Sequence, residues 1–287
     1  MRYHIDTIPV WEAMEKETAC PLCALYQKCE ETEIDRSLGG SVMEPDARIR
    51  VNERGICCKH HQQLFMMQNR LGHALLVDSH SKEHLKKLDE LDKLLPSAAP
   101  KKSLFGGNKN DSTIALAEAL EKLSTSCVIC EDIDSHMQRY MYTFLHLWKT
   151  DTKFRKTWAA SKGMCLPHAA EMLRHASKHL NAAQQAEFAK ELLELVKQNL
   201  AEDEKDLEWF TLKFDYRNQS KPWGNSRNAL ERTINRLRGL CIAPDAPKKN
   251  KWKSRFLHWK RLSCSIQRIL FAVKLFQLYT GLFKNLQ

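Results

Sequence analysis

The sequence predicts an almost all-α protein, and three observations carry that expectation. Only 10 Gly and 9 Pro occur in 287 residues, too few for a loop-dominated, collagen-like or turn-repeat fold. Apolar residues recur at helical steps over long stretches. No stretch alternates apolar and polar residues for long enough to demand a sheet. The composition, 43% hydrophobic and 28% charged, is ordinary for a globular chain and excludes wholesale disorder or a polytopic membrane protein. The length fits one large domain or two smaller ones and is ample for a core.

The elements follow in order. At the N-terminus Asp6, Glu12, Glu15 and Glu17 interrupt any apolar signal-peptide core, so the expected compartment is cytoplasmic. Cysteines are then read as thiols or metal ligands before disulfides. Leu64, Leu71, Leu75, Leu85, Leu88, Leu91 and Leu95 are separated by helical steps or their sums, and Pro96 sits where a helix should stop. The segment 96–111 is rich in Pro, Gly, Ser, Lys and Asn and reads as a linker. Asp111 or Ser112 is placed to cap the helix TIALAEALEKL. Phe188, Leu192, Leu195, Val196, Leu200, Leu207, Phe210 and Phe214 form one apolar stripe on a long helix. Pro222, Gly224 and Asn225 mark a turn before a last helix at 228–240. The predicted organisation is a first zinc-binding helical module (1–95), a linker (96–111), a second module with the long helix (112–240) and a basic amphipathic tail (241–287).

The chemistry lies in the cysteines. Cys20-Pro-Leu-Cys23 is followed by Cys57 and His60 in GICCKH, and Cys127-Val-Ile-Cys130 by Cys165 and His168 in GMCLPH. Corresponding residues are 107 or 108 positions apart. A pattern C-x2-C…G-x-C-x2-H occurring twice at nearly equal spacing reads as an internal duplication. A C-x2-C turn places two thiolates within reach of one ion, and C-x2-H supplies a second bidentate arm. Three cysteines and one histidine complete a tetrahedral zinc set with no position left for water, so the expected role is structural. Each copy is expected to close its own set, giving two structural zinc sites. Gly55 and Gly163 permit the turn that aims the third thiolate. Pro21 and Pro167 suit first turns of helices, where the dipole favours thiolate.

Cys58 and His61 form an equally spaced C-x2-H pair. Gapless alignment with the second copy favours it, whereas the Gly-x-Cys register favours Cys57 and His60, which we adopt. An iron–sulfur cluster is a weaker reading, because four cysteines are its usual set. A thioredoxin-like role needs a βαβ setting that the sequence lacks. Cys29, Cys241 and Cys264 have no matched partner and read as core or incidental thiols. His73, His80 and His84 have helical spacing, but no Glu follows His80 in the H-E-x-x-H manner, so they read as a solvated face. No paired carboxylates, phosphate loop, G-x-S-x-G or dinucleotide fingerprint occurs, so no catalytic residue is assigned. The alternative to a structural or interaction module is an iron–sulfur or thiol-redox protein or enzyme using the Cys-rich sites.

The segments HIDTIPVWEAMEKETACPLC, LGGSVMEPDARIRVNERGIC and KFDYRNQSKPWGNSRNALERTINRLRG closely resemble DUF6062, a bacterial family without an established function. The resemblance runs over about residues 1–240. It implies a cytosolic bacterial protein with the C-x2-C and G-x-C-x2-H pairs. The family's first copy reads Gly, an apolar residue, Cys, two residues and His. This falls on Gly55, Ile56, Cys57 and His60 and supports the chosen register.

The formal net charge of +10 has one source. Ten of the 45 Lys and Arg lie in 248–287, which holds no Asp or Glu, so residues 1–247 carry 35 of each sign. The basic pI is therefore no sign that the body binds nucleic acid. Within the tail, Arg268 and Lys274 interrupt the apolar run and argue against a transmembrane span. A helix of this pattern packs on the body, or lays Trp252, Trp259 and Phe271 with their Lys and Arg neighbours on an anionic membrane surface or a partner groove. Nucleic acid is the less favoured partner; an unknown protein partner is expected.

Overall fold

The computed structural model describes residues 5–16, 18–95 and 111–242. Among these residues there are eleven α-helices and no strand. The expected linker, up to residue 110, and the expected tail from residue 243 lie outside the described residues. The first half contributes α1 (Thr7–Glu15), α2 (Pro21–Leu38), α3 (Pro45–Arg54), α4 (Cys58–Met66) and α5 (Arg70–Leu91). The second contributes α6 (Asp111–Thr125), α7 (Val128–Thr150), α8 (Thr152–Ala159), α9 (Leu166–His179), α10 (Ala182–Leu212) and α11 (Ala229–Arg238). The described residues up to Leu240 belong to one compact unit.

Helix starts follow local chemistry. Pro occupies the first turns of α2, α3 and α9, where its missing N–H leaves no helical bond unmade. Asp151 caps α8, its carboxylate accepting from Lys153 N at 2.8 Å and Phe154 N at 3.1 Å. Asn181 opens α10 with a capping box: its side chain accepts from Gln184 N at 2.9 Å, and the Gln184 side chain accepts from Asn181 N at 3.3 Å.

The centre of the fold is the pair α2 and α7. Glu33 meets His136 at 3.3 Å, and Cys29 meets Tyr140. Rising numbers on one helix thus meet falling numbers on the other, and the pair is antiparallel. Around α7 the aromatics pack edge to face: Phe144 against Phe154 and Trp158, Trp148 against Phe188, and Trp11 against Phe154, with centroids 5.0–5.2 Å apart. Such contacts add to their burial because a ring's positive edge meets a negative face. Leu22, Leu25, Leu64 and Leu76 belong to the same hydrophobic core as these aromatics.

Two expectations about faces need correction. The helical recurrence over 64–95 is split between α4 and α5 and lines no single buried face: Leu71, Leu85, Leu88 and Leu95 are exposed. The run breaks at Gln68 (φ 64°), and Asn69 caps α5, its side chain accepting from Gly72 N at 3.0 Å. The packed face of α5 is instead Gly72, His73 and Leu76, continued by the histidines read as solvated. His73 is 9% exposed. His80 Nδ1 lies 3.0 Å from Asn52 O, and His84 Nε2 lies 3.0 Å from Leu123 O. An imidazole can join a neighbouring carbonyl inside a helical layer, which a simple apolar count misses. In the long helix, Phe188, Leu192, Leu195 and Val196 are buried, but Phe214 falls beyond the end of α10 and is exposed.

Candidate metal centres

Four helices start at cysteines. Cys20, Cys57, Cys127 and Cys165 are the N-caps of α2, α4, α7 and α9. The second residue of each arm, Cys23, His60, Cys130 or His168, lies three positions on, in the first turn. The two C-x2-C caps share one backbone geometry, φ −159° and ψ 114° at Cys20 against φ −156° and ψ 118° at Cys127. The two C-x2-H caps share another, φ −75° and ψ 164° at Cys57 against φ −70° and ψ 157° at Cys165. Gly55 (φ 72°) and Gly163 (φ 68°) both take the left-handed conformation before these caps, which L side chains rarely adopt. At Gly55 a Cβ would also come within 2.8 Å of His80 Nε2.

The arms pair across the two halves. Cys20 and Cys23 cluster with Cys165 and His168, while Cys127 and Cys130 cluster with Cys57 and His60. This departs from the expectation that each copy closes its own set. The physical reason is the α2–α7 core and the contacts it brings together. Val128 N donates to Gly55 O at 3.1 Å, Ser126 Oγ to Arg54 O at 2.5 Å, and Arg50 forms a bidentate pair with Asp132 at 2.7 and 3.2 Å. These contacts bind the Cys57 arm to the Cys127 arm. Pro21, at the position matching Val128, has no N–H, so the equivalent backbone bond is unavailable at the first set.

Within each set the donor atoms all lie within 4.8 Å of one another. In the first set Cys23 Sγ is 3.6 Å from Cys165 Sγ. His168 Nδ1 is 3.5, 3.3 and 3.2 Å from the sulfurs of Cys20, Cys23 and Cys165. In the second, Cys57 Sγ is 3.8 Å from Cys130 Sγ. His60 Nδ1 is 3.3, 3.3 and 3.4 Å from the sulfurs of Cys57, Cys127 and Cys130. A tetrahedral ion such as zinc, with bonds of ~2.3 Å to sulfur and ~2.0 Å to nitrogen, places its ligands ~3.8 Å (S to S) and ~3.5 Å (S to N) apart. Both sets are close to those edges. The residues therefore fit one four-coordinate ion per set, and both clusters can hold a metal ion. Cys58 and His61 stand outside: Cys58 Sγ accepts from Gln62 Nε2 at 3.6 Å, and His61 Nδ1 lies 2.8 Å from His73 Nε2.

The electrostatics explain why a cation suits these positions. Burial pushes the Cys130 thiol up to about 12, and the adjacent Cys127 and Cys57 reinforce the shift. For Cys57 burial also opposes ionisation, but the backbone N–H of His60 and the neighbouring thiols outweigh it and hold its pKa below the ordinary value. One thiolate thus forms at its neighbours' expense, and a central divalent ion removes that conflict. At His168 burial acts downward, yet the thiols of Cys165, Cys20 and Cys23 outweigh it and hold the pKa above the ordinary value. At His60 burial prevails and holds the imidazole below it, against the opposing pull of Glu30. That carboxylate lies 3.3 Å from His60 Nε2 and also engages Lys59 at 2.5 Å and Gln63 at 3.0 Å. A carboxylate on the far nitrogen fixes the tautomer that leaves Nδ1 free to bind a metal. Glu30 is not signalled by ligand spacing.

A family model described as a family of unknown function, DUF6062, matches residues 1–244. The chain belongs to DUF6062. No curated protein and no solved structure matches it. The three motifs of the DUF6062 resemblance acquire places in this fold. The first two carry Cys20, Cys23 and Cys57, with Gly55 between them. The third carries Arg236, which is 1% exposed and donates through Nη1 to Lys162 O at 2.7 Å, next to Gly163. That DUF6062 motif thereby holds the turn that leads into Cys165.

Proposed function

We propose that the chain is a zinc-stabilised, cytoplasmic helical protein that acts as a structural or interaction module. Two zinc ions tie its two halves together. The observation that carries this reading is the spacing of the two clusters, each with three sulfurs and one nitrogen at tetrahedral edges. With four protein donors each site is closed, so the ion orders the fold and activates no water. The donor spacing suits a single ion; an iron–sulfur core would spread its ligands further apart and usually draws on four cysteines. The matching cap geometries support an internal repeat whose copies exchange arms. Among the described residues no helix is long and apolar enough to cross a membrane. Partner binding, to a protein or through the basic tail to an anionic surface, is part of the proposal.

Elemental analysis of protein purified without added metal tests it. The expected result is two zinc per chain, with metal removal unfolding the helices, since binding contributes on the order of 10 kcal/mol per structural site. Well under one zinc per chain would sink the idea, and iron in its place would favour the redox reading.

A further inference from the structure

The two sets have the same donors and differ in access. Cys20, Cys23 and Cys165 are 3, 8 and 1% exposed. In the other set Cys127 and His60 are buried, but Cys57 is half-buried and Cys130 is exposed. Cys130 also lines a groove of about 320 Å³, together with Ile133, Met137 and Met141 of α7 and His168 and His175 of α9; the groove thus reaches both sets, but the sulfur it exposes is that of Cys130, while the first set shows it only an imidazole. His175 is 6% exposed, and its Nδ1 has no hydrogen-bond partner. The groove therefore gives a small polar molecule access to the Cys130 sulfur.

We propose that Cys130 is an oxidative modification site, at which a small hydroperoxide oxidises the second set and releases its metal ion. The inference rests on the metal reading above. Cys130, which would be ionised as a metal ligand, attacks the O–O bond of hydrogen peroxide through its sulfur. A sulfur–oxygen bond forms, the O–O bond breaks, hydroxide leaves, and the sulfur becomes a sulfenic acid. Cys57 Sγ, 3.8 Å away, then attacks that sulfur, closes a disulfide and expels a second hydroxide. Two thiolates lose two electrons and the peroxide gains them. Zinc, which has no redox chemistry of its own, is left with His60 and Cys127 and dissociates. The Cys20, Cys23, Cys165 and His168 set keeps its ion, because its three sulfurs are buried and thiolate oxidation follows exposure as well as thiolate character.

The test uses the full chain carrying Cys58→Ser, which removes the exposed thiol beside Cys57 and touches no ligand. Zinc is counted first; fewer than two ions per chain overturns the metal reading and this inference with it. Hydrogen peroxide is then added, released zinc is followed with a chromogenic chelator, and disulfides are mapped by peptide mass. The expected result is one zinc released at least about tenfold faster than the other, together with a Cys57–Cys130 disulfide and dimedone trapping at Cys130 early in the reaction. Parallel release of both ions, no release, or a first disulfide that does not link Cys57 to Cys130 overturns this inference and leaves the metal reading standing.

Discussion

Glu30 shows how one side chain outside the ligand set can tune it. Its carboxylate engages His60, Lys59 and Gln63 together, so it orients the imidazole and adds negative charge beside the position of the proposed ion. Glu30→Gln keeps the shape and removes the charge. We expect metal affinity to fall by about tenfold at the Cys57, His60, Cys127 and Cys130 set, with the other set unchanged, because loss of such a partner costs roughly 10–100-fold. Competition against a chelator measures it; equal behaviour of the two ions would contradict the role given to Glu30. The ligands themselves were legible in the sequence because C-x2-C and C-x2-H are local spacings. Glu30 was not, since its meaning depends on which helix passes beside α2. The same holds for His80: nothing in the spacing reveals that it lies against Gly55.

Among the elements, α10 and α11 carry a buried ionic cluster that serves the first metal set at one remove. Asp203, 3% exposed, accepts from Arg232 Nε at 2.6 Å and from Arg236 Nε, and Arg232 also pairs with Asp206. Arg236 in turn holds Lys162 O beside Gly163. Asp203→Ala leaves the buried Arg236 without its carboxylate, and removing one partner of a buried pair costs ~3–5 kcal/mol. Urea unfolding of the metal-loaded protein should show that loss, whereas a change under about 1 kcal/mol, typical of an exposed pair, would mean the cluster contributes little. Helix existence was readable from periodicity, caps and Pro positions. Facing was harder. Leu71, Leu85 and Leu88 fit a stripe by number yet are exposed, while His73 is buried. Which side of α5 is covered is decided by α3, α4 and α6, and an apolar count along one segment does not contain that information.

In the whole molecule, the decisive feature is the exchange of arms between the halves. The duplicated spacing gives the eight residues but is equally consistent with either pairing, because a C-x2-C arm can meet either C-x2-H arm. The antiparallel α2–α7 pair and the Gly55–Val128 link select the crossed arrangement. The two proposed ions are then cross-links between residues 1–95 and 111–240 rather than staples within each half; the ligands they would join lie more than a hundred residues apart in one set (Cys23 to Cys165) and about seventy in the other (Cys57 to Cys130).

Metal stoichiometry of the double variant Cys20→Ser/Cys165→Ser, against two ions in the unaltered chain, tests that pairing most directly. Both substitutions fall in one crossed set, so the account predicts one tightly held ion per chain, bound by Cys57, His60, Cys127 and Cys130. If each copy closed its own set, the same two substitutions would damage both sites, and a chain retaining no tightly held metal would contradict the crossed arrangement.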